Sequence, residues 1–233
     1  MKRIKIFSLS MCVALVLAGC QMSNTAKGGI IGGSGGAALG AVIGQLIGKN
    51  TQSTVIGGAI GAAVGTTAGV LIGKKMDKAK AAAQAVENAK VEGVEDNNGN
   101  TVAVKVTFDS GILFDTNKYV LKPVAQNSLT KFATNVLNVY TDADVAIQGY
   151  TDSTGNDGIN LPLSQNRADA VKNFLLSKNV SPSQIKSSQG FGSSNLILTS
   201  SGAEDRTASR RVEVLLYPSQ AMLNEANAQS TQQ

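Results

Sequence analysis

Glycine recurs at every fourth position along two stretches of this chain, and that spacing constrains the N-terminal half more than any other feature. Gly32, Gly36, Gly40, Gly44 and Gly48 form one set, and Gly57, Gly61, Gly65, Gly69 and Gly73 form the other. Residues four apart are neighbours on one helix face. Each glycine costs about 0.8–1.0 kcal/mol against alanine in a helix interior, so a series this regular implies a compensating contact. Close approach of two helix backbones supplies one. Ile31, Leu39, Val42, Ile43, Leu46 and Ile47, then Val55, Ile56, Ile60, Val64, Val70, Leu71 and Ile72, give the remaining surface an apolar character suited to lipid. Residues 28–48 would be about 31 Å long as a helix, close to the roughly 30 Å hydrocarbon core of a bilayer. Residues 54–73 have nearly the same length, and Lys49-Asn50-Thr51-Gln52-Ser53 is a polar turn between the two runs. The expectation is a transmembrane-like helical hairpin over 28–73, zipped along its glycine faces. A self-associating or interfacial helix pair, which would make the chain a homo-oligomer, is the second use of these faces. A flexible linker fits poorly with a stretch rich in Ile, Val and Ala.

The first residues read as an address. Lys2, Arg3 and Lys5 precede an apolar stretch over 6–16, too short to span a bilayer and of the form of a secretory signal. It runs into Leu17-Ala18-Gly19-Cys20, which resembles the lipobox of bacterial lipoproteins. That resemblance implies removal of 1–19, lipid chains such as diacylglyceryl and palmitate on Cys20, and a short lipidated N-terminus over 20–27. Gln21 follows Cys20; by analogy with sorting in enteric bacteria, this implies the outer membrane. Cys12 leaves with the leader, so no disulfide forms within the mature chain. The three basic residues of the leader leave as well, and the formal charge falls from +5 to +2. Without a Lys/Arg cluster interleaved with aromatics, nucleic acid is not an expected partner. The chain contains no histidine, which removes Ser-His-Asp and Cys-His catalysis and the usual zinc sites.

Residues 74–100 are rich in helix formers with poor apolar periodicity, and read as a solvated helical spacer closed by Gly93 and the Asp96-Asn97-Asn98-Gly99-Asn100 turn cluster. Residues 101–218 change character. Val102, Val104, Val106 and Phe108 alternate as in a strand, and Leu129, Phe132, Ala133, Val136, Leu137 and Tyr140 recur at helical spacing. A short strand follows over 144–149. Leu163, Ala170, Val171, Phe174 and Leu175 mark a second helix, with Pro162 expected in its first turn. Strands over 185–191 and 211–217 complete a β-α-β-α-β-β order, an α+β fold with a mixed sheet and helices on one side. Residues 219–233 are polar and read as a mobile tail.

Four motifs in this domain carry a resemblance: Thr151-Asp152-Ser153-Thr154-Gly155; Asn160-Leu161-Pro162-Leu163-Ser164-Gln165-Asn166-Arg167-Ala168; Gln189-Gly190-Phe191-Gly192; and Ser209-Arg210-Arg211-Val212-Glu213. Together with Phe108-Asp109 and Phe114-Asp115, they resemble the OmpA C-terminal-like family. With the lipobox and glycine zipper ahead of them, they resemble its YiaD-type subgroup of outer-membrane lipoproteins. The resemblance implies binding of the diaminopimelate of peptidoglycan, with Asp152 on the ammonium, Arg167 on the carboxylate, Asn160 orienting the ligand and Arg210 lining the pocket. The chemistry is consistent with this, since one carbon bearing an ammonium and a carboxylate needs an anion and a cation a few ångströms apart. Arg167 is expected about one and a half turns into its helix, close to amides that also attract a carboxylate. An internal Asp152–Arg167 salt bridge is the plain alternative. The chain departs from the family pattern at Tyr150, where many members have His, and at Ser209, in place of Asn.

The acidic spacing over 152–158 does not meet a calcium-loop pattern, and neither a metal nor a cofactor is expected. The function implied is an outer-membrane, lipid-anchored tether with its C-terminal domain in the periplasm, not an enzyme, and its partners are peptidoglycan and membrane lipid. A glycine-zipper assembly or pore component, with the wall-binding domain as anchor, is the alternative.

Overall fold

A computed structural model describes residues 67–96 and 99–230. The signal peptide, Cys20 and residues 28–66 of the expected hairpin lie outside the described residues. No helix among the described residues is long and apolar enough to cross a membrane.

The described chain begins with helix α1 (Thr67–Gln84) and continues through strands β1 (Ala89–Glu95) and β2 (Thr101–Asp109). A short α2 (Ser110–Leu113) and helix α3 (Pro123–Phe132) follow, α3 ending in a π-helical turn over Ala133–Leu137. Then come β3 (Ala143–Tyr150), α4 (Asp157–Ser177), β4 (Ile185–Gly190), the short α5 (Arg206–Ser209), β5 (Arg211–Pro218) and α6 (Gln220–Ser230). From β2 to β5 the principal elements follow the expected β-α-β-α-β-β order. The sheet is mixed, in the order β1-β2-β5-β3-β4, with only the β3–β4 pair parallel.

The register explains how the two faces differ. Val212, Val214 and Leu216 of β5 stand opposite Gly149, Ile147 and Val145 of β3, and opposite Phe108, Val106 and Val104 of β2. Alternation puts all of these on one face, and the helices bury it. Phe108 meets Phe132 of α3 edge-on with ring centroids 5.7 Å apart. The apolar stripe predicted for α3 holds: Leu129, Phe132, Ala133, Val136 and Leu137 are fully buried. The other face carries Arg211, Glu213, Gln148 and Tyr150. There the Arg211 guanidinium lies 4.0 Å above the Tyr150 ring and bonds Glu213 at 2.6 Å.

Both ends of the domain differ from expectation. The spacer read over 74–100 is instead a packed helix and a strand. Ile72, Met76, Ala79 and Ala83 of α1 lie in the core, and β1 pairs with β2 from Phe108 back to Thr101. Periodicity concealed this because the buried positions of α1 are mostly alanine and glycine, which give little apolar contrast. The polar tail likewise holds α6, whose Met222, Leu223 and Ala226 are buried. Lys75 of α1 binds Asp142 at 2.9 Å and Glu225 of α6 at 3.1 Å.

The added edge strand is pinned electrostatically. Glu92 of β1 lies between Lys105 of β2 at 2.7 Å and Lys90 at 2.8 Å. Hydrogen bonds from Lys105, then Lys90, hold its carboxyl down at about 2, against roughly 4.3 for a free glutamate. A depressed folded value stabilises the fold above the unfolded value, and that contribution is lost as pH falls through the folded one. Glu92→Gln is therefore expected to flatten the acid limb of the stability curve between roughly pH 4.3 and 2. Thermal midpoints of parent and variant across that range check it, and parallel curves would refute it.

Candidate functional site

Beyond the C-terminal end of β3, where ligands collect in α/β sheets, a cleft of about 520 Å³ opens among the loops. All four residues singled out in the sequence, Asp152, Asn160, Arg167 and Arg210, line it.

Asp152 stands two residues past β3 and is nearly buried. Its Oδ1 accepts the Thr154 amide at 3.0 Å and its Oδ2 accepts Arg210 Nη1 at 2.6 Å. Burial pushes its carboxyl up, but the bonds from Arg210 and Thr154 outweigh burial and leave it below the ordinary aspartate value. The ion pair that forms is therefore Asp152–Arg210, not Asp152–Arg167. Arg210 is a partner of the acid as well as part of the wall.

Asn160 turns inward from the first turns of α4. Its amide donates to the Thr154 carbonyl at 3.1 Å and, more weakly, to the Asp152 carbonyl at 3.5 Å. It positions the loop that presents Asp152. Gly155 in that loop has φ +92°, a conformation that side chains with a Cβ rarely adopt. Glu204 fastens the loop from outside, accepting from the Ser153 amide at 2.9 Å and from its hydroxyl at 2.5 Å.

Arg167 differs from the other three. It is only 4% exposed, yet among the described residues it has no carboxylate partner. Its Nε donates to the Lys118 carbonyl at 3.0 Å, and its guanidinium lies 5.3 Å from the centre of the Phe114 ring. Burial first, and then the charge of Arg210, lower its pKa, with Asp152 opposing. Helix α4 starts at Asp157, so Arg167 lies nearly three turns in, roughly 15 Å along the axis. It is not one and a half turns in. Pro162 correspondingly lies inside the helix, because Asn156 already closes a turn upstream by accepting the amides of Ile159 and Asn160.

Sequence reasoning missed the near wall, formed by Ser110, Gly111, Phe114, Asp115, Thr116 and Asn117. Phe114-Asp115 was the available signal, since it stands in the family's opening motif. Ser110 and Thr151 each bury a hydroxyl with no hydrogen-bond partner among the described residues. The two departures from the family pattern are absorbed locally. Tyr150 stacks on Phe191 with centroids 5.3 Å apart and donates to Gln148 at 3.0 Å, while the Ser209 hydroxyl accepts the Ile197 amide at 2.9 Å. Among the described residues, no group of three or more metal-binding side chains gathers.

Residues 113–210, which include all four cleft residues, match the model of the OmpA family. Over this segment the chain is similar to the OmpA family. Residues 1–77 match a second model, the YMGG-like Gly-zipper. Probable lipoprotein YiaD of Escherichia coli is 42% identical over 109 residues, which cover 47% of this chain and 49% of that protein. Peptidoglycan-binding protein ArfA of Mycobacterium tuberculosis is 36% identical over 114 residues, covering 49% of this chain and 34% of that protein. The chain thus spans half or less of the length of these two relatives. A putative MotB-like protein from Desulfovibrio vulgaris shares the fold, with a TM-score of 0.51 at 20% identity, over 64% of this chain and 94% of that one. The OmpA-family match ends at Arg210, one residue before β5, so the central strand of the sheet falls beyond it.

Proposed function

We propose that this chain is an outer-membrane lipoprotein whose OmpA-family domain binds the diaminopimelate of peptidoglycan and so tethers the membrane to the wall. The observation that carries this reading is the state of Arg167. A buried cation without an ion-pair partner is costly, and this one lines an open cleft with its Nε bonded to the Lys118 carbonyl and its guanidinium 5.3 Å from the centre of the Phe114 ring. A guanidinium held so can grip a carboxylate through two parallel hydrogen bonds. Asp152, already ionised and oriented by Arg210, offers the negative charge that an ammonium on the same ligand carbon needs. The names of two relatives, a lipoprotein and a peptidoglycan-binding protein, support the same reading. So does the lipobox ending at Cys20.

The domain is a binding module in this account rather than an enzyme. The cleft's second carboxylate, Asp115, is exposed and faces Lys122 at 3.8 Å. It is therefore not set against Asp152 as an acid–base pair.

Sedimentation of the full chain with purified sacculi tests the proposal. Sacculi whose stem peptides carry diaminopimelate are expected to pull the protein down. Sacculi carrying lysine at that position, which lacks the second carboxylate, are expected to leave it in the supernatant. Equal retention on both would show that the side-chain ammonium–carboxylate pair is not what is read.

A further inference from the structure

The charges of the cleft do not balance once a zwitterionic ligand is seated in it, and the imbalance falls on Arg210. Among the described residues, its ionisable lining consists of Asp115, Asp152, Arg167 and Arg210. Asp115 is turned to solvent, 75% exposed, and answers Lys122. Glu204, outside the Asp152 loop, is answered by Arg206 at 3.6 Å. One carboxylate, Asp152, therefore stands with two guanidinium groups. In the free protein it is bound to Arg210, while Arg167 donates to a backbone carbonyl. A ligand carbon bearing an ammonium and a carboxylate satisfies Arg167 with the carboxylate, but its ammonium then shares Asp152 with Arg210. One acid faces two cations, and the occupied cleft keeps an excess positive charge.

Arg210 is placed to receive a further anion. Its side chain is 40% exposed, whereas Arg167 is buried. It reaches Asp152 through Nη1 at 2.6 Å, and its Nη2 makes a long contact of 3.5 Å with the Thr207 hydroxyl. A guanidinium carries five N–H donors, so much of this fork is left open among the described residues. The backbone behind it is held firmly. The Arg210 carbonyl accepts the Ser110 amide at 3.0 Å, and the next residue, Arg211, is clamped between Tyr150 and Glu213. Burial, and after it the charge of Arg210, disfavours the Arg167 cation, so two like charges already act on each other across the cleft.

We infer that Arg210 takes a second carboxylate of the same ligand, so that the cleft prefers a stem peptide presenting two free carboxylates with its one ammonium. The inference rests on the wall-binding reading above. Diaminopimelate has two amino-acid ends. When one end fills Asp152 and Arg167, the other supplies a free carboxylate only where the stem stops at that residue. The glutamate before it, joined through its side chain, carries another. Either source brings the same chemistry to the open side of the Arg210 fork, whose planar donors match a carboxylate.

Calorimetric titration of the full-length chain in detergent tests this with synthetic stem tripeptides ending in diaminopimelate. One peptide is unmodified, one carries the glutamate carboxylate as an amide, and one carries the backbone carboxylate of diaminopimelate as an amide. The recognised ammonium and carboxylate are free in all of them. The parent is expected to bind at least one of the amides about three- to tenfold more weakly than the unmodified peptide, and that arm identifies the source. Arg210→Gln is expected to bind all the peptides alike. Arg210→Lys, which keeps a positive charge beside Asp152 without the fork, is expected to show a smaller preference than the parent. Equal binding of all the peptides by the parent would overturn the inference, and so would a preference in either variant as large as the parent's. If no peptide binds the parent, wall recognition itself falls; binding without preference removes only this role of Arg210.

Discussion

Arg167→Ala is expected to abolish retention on diaminopimelate-containing sacculi while leaving the domain folded. Truncating one partner of a buried, hydrogen-bonded charge pair costs about 2–5 kcal/mol of binding, a loss of roughly 30- to 4,000-fold in affinity. Thermal stability should change little, or rise. In the free protein the guanidinium is buried, is not matched by a carboxylate among the described residues, and donates to one backbone carbonyl. Its removal therefore gives up one hydrogen bond and a ring contact but relieves the desolvation of a charge. Arg167→Lys separates charge from geometry, since lysine is a point charge without the planar fork, and it is expected to bind more weakly than the parent. Sedimentation and a melting curve on the same preparation read both effects. A folded Arg167→Ala that still sediments like the parent would place the ligand elsewhere.

The second large effect concerns the fold beneath that arginine. Gly149 and Gly190 stand side by side in the parallel β3–β4 pair, and α4 rests directly on both. A Cβ on Gly190 would lie 2.2 Å from the Gln165 amide nitrogen, and one on Gly149 would lie 2.1 Å from the Ser164 carbonyl oxygen. Both obstacles are helix backbone, so relief requires moving α4 as a body. Overpacking of this kind costs typically 1–3 kcal/mol, occasionally more. Gly190→Ala is expected at or above the top of that range, lowering the melting midpoint by roughly 6–12 °C for a domain of this size. The displaced helix carries Arg167 with it, so retention on sacculi should fall as well. A midpoint matching the parent would mean that α4 can lift off the sheet at little cost, and the two glycines would then lose their role as its seat.

These glycines also mark where sequence could and could not be read. The alternation of Val102, Val104, Val106 and Phe108 announces β2 because one face is buried against helices. Gln189-Gly190-Phe191-Gly192 announces a site only through resemblance, since nothing local says that a helix backbone passes over Gly190. The β1 strand was hidden by Lys90, Glu92 and Gly93, whose polar and small side chains suit an edge that needs no second buried face. The α6 helix was hidden because three apolar anchors in eleven residues resemble a solvated tail until α1 is there to receive them. Within the cleft, the motifs supplied Asp152, Asn160, Arg167 and Arg210, whereas Asp115 and Asn117 of the near wall were not singled out. The motifs could not show which charges pair. Arg210 reaches Asp152 across a sequence separation of 58, a match made by the sheet and not by spacing. The alternative of an internal salt bridge therefore paired Asp152 with Arg167, where the structure pairs it with Arg210.

The order of the strands bears on when this protein can become itself. The last strand, β5, occupies the middle of the sheet and is the sole link between the β1–β2 pair and the β3–β4 pair. Arg210, the partner of Asp152, directly precedes it. Until residues 210–218 have been delivered, the two halves of the sheet have nothing to join them and the cleft lacks one wall. Such long-range pairings form late and slowly, so the sheet is expected to close only after its final strand arrives. The topology imposes that delay through strand order alone. It also makes loss of the last twenty-odd residues equivalent to loss of the whole domain, and with it any hold on a ligand.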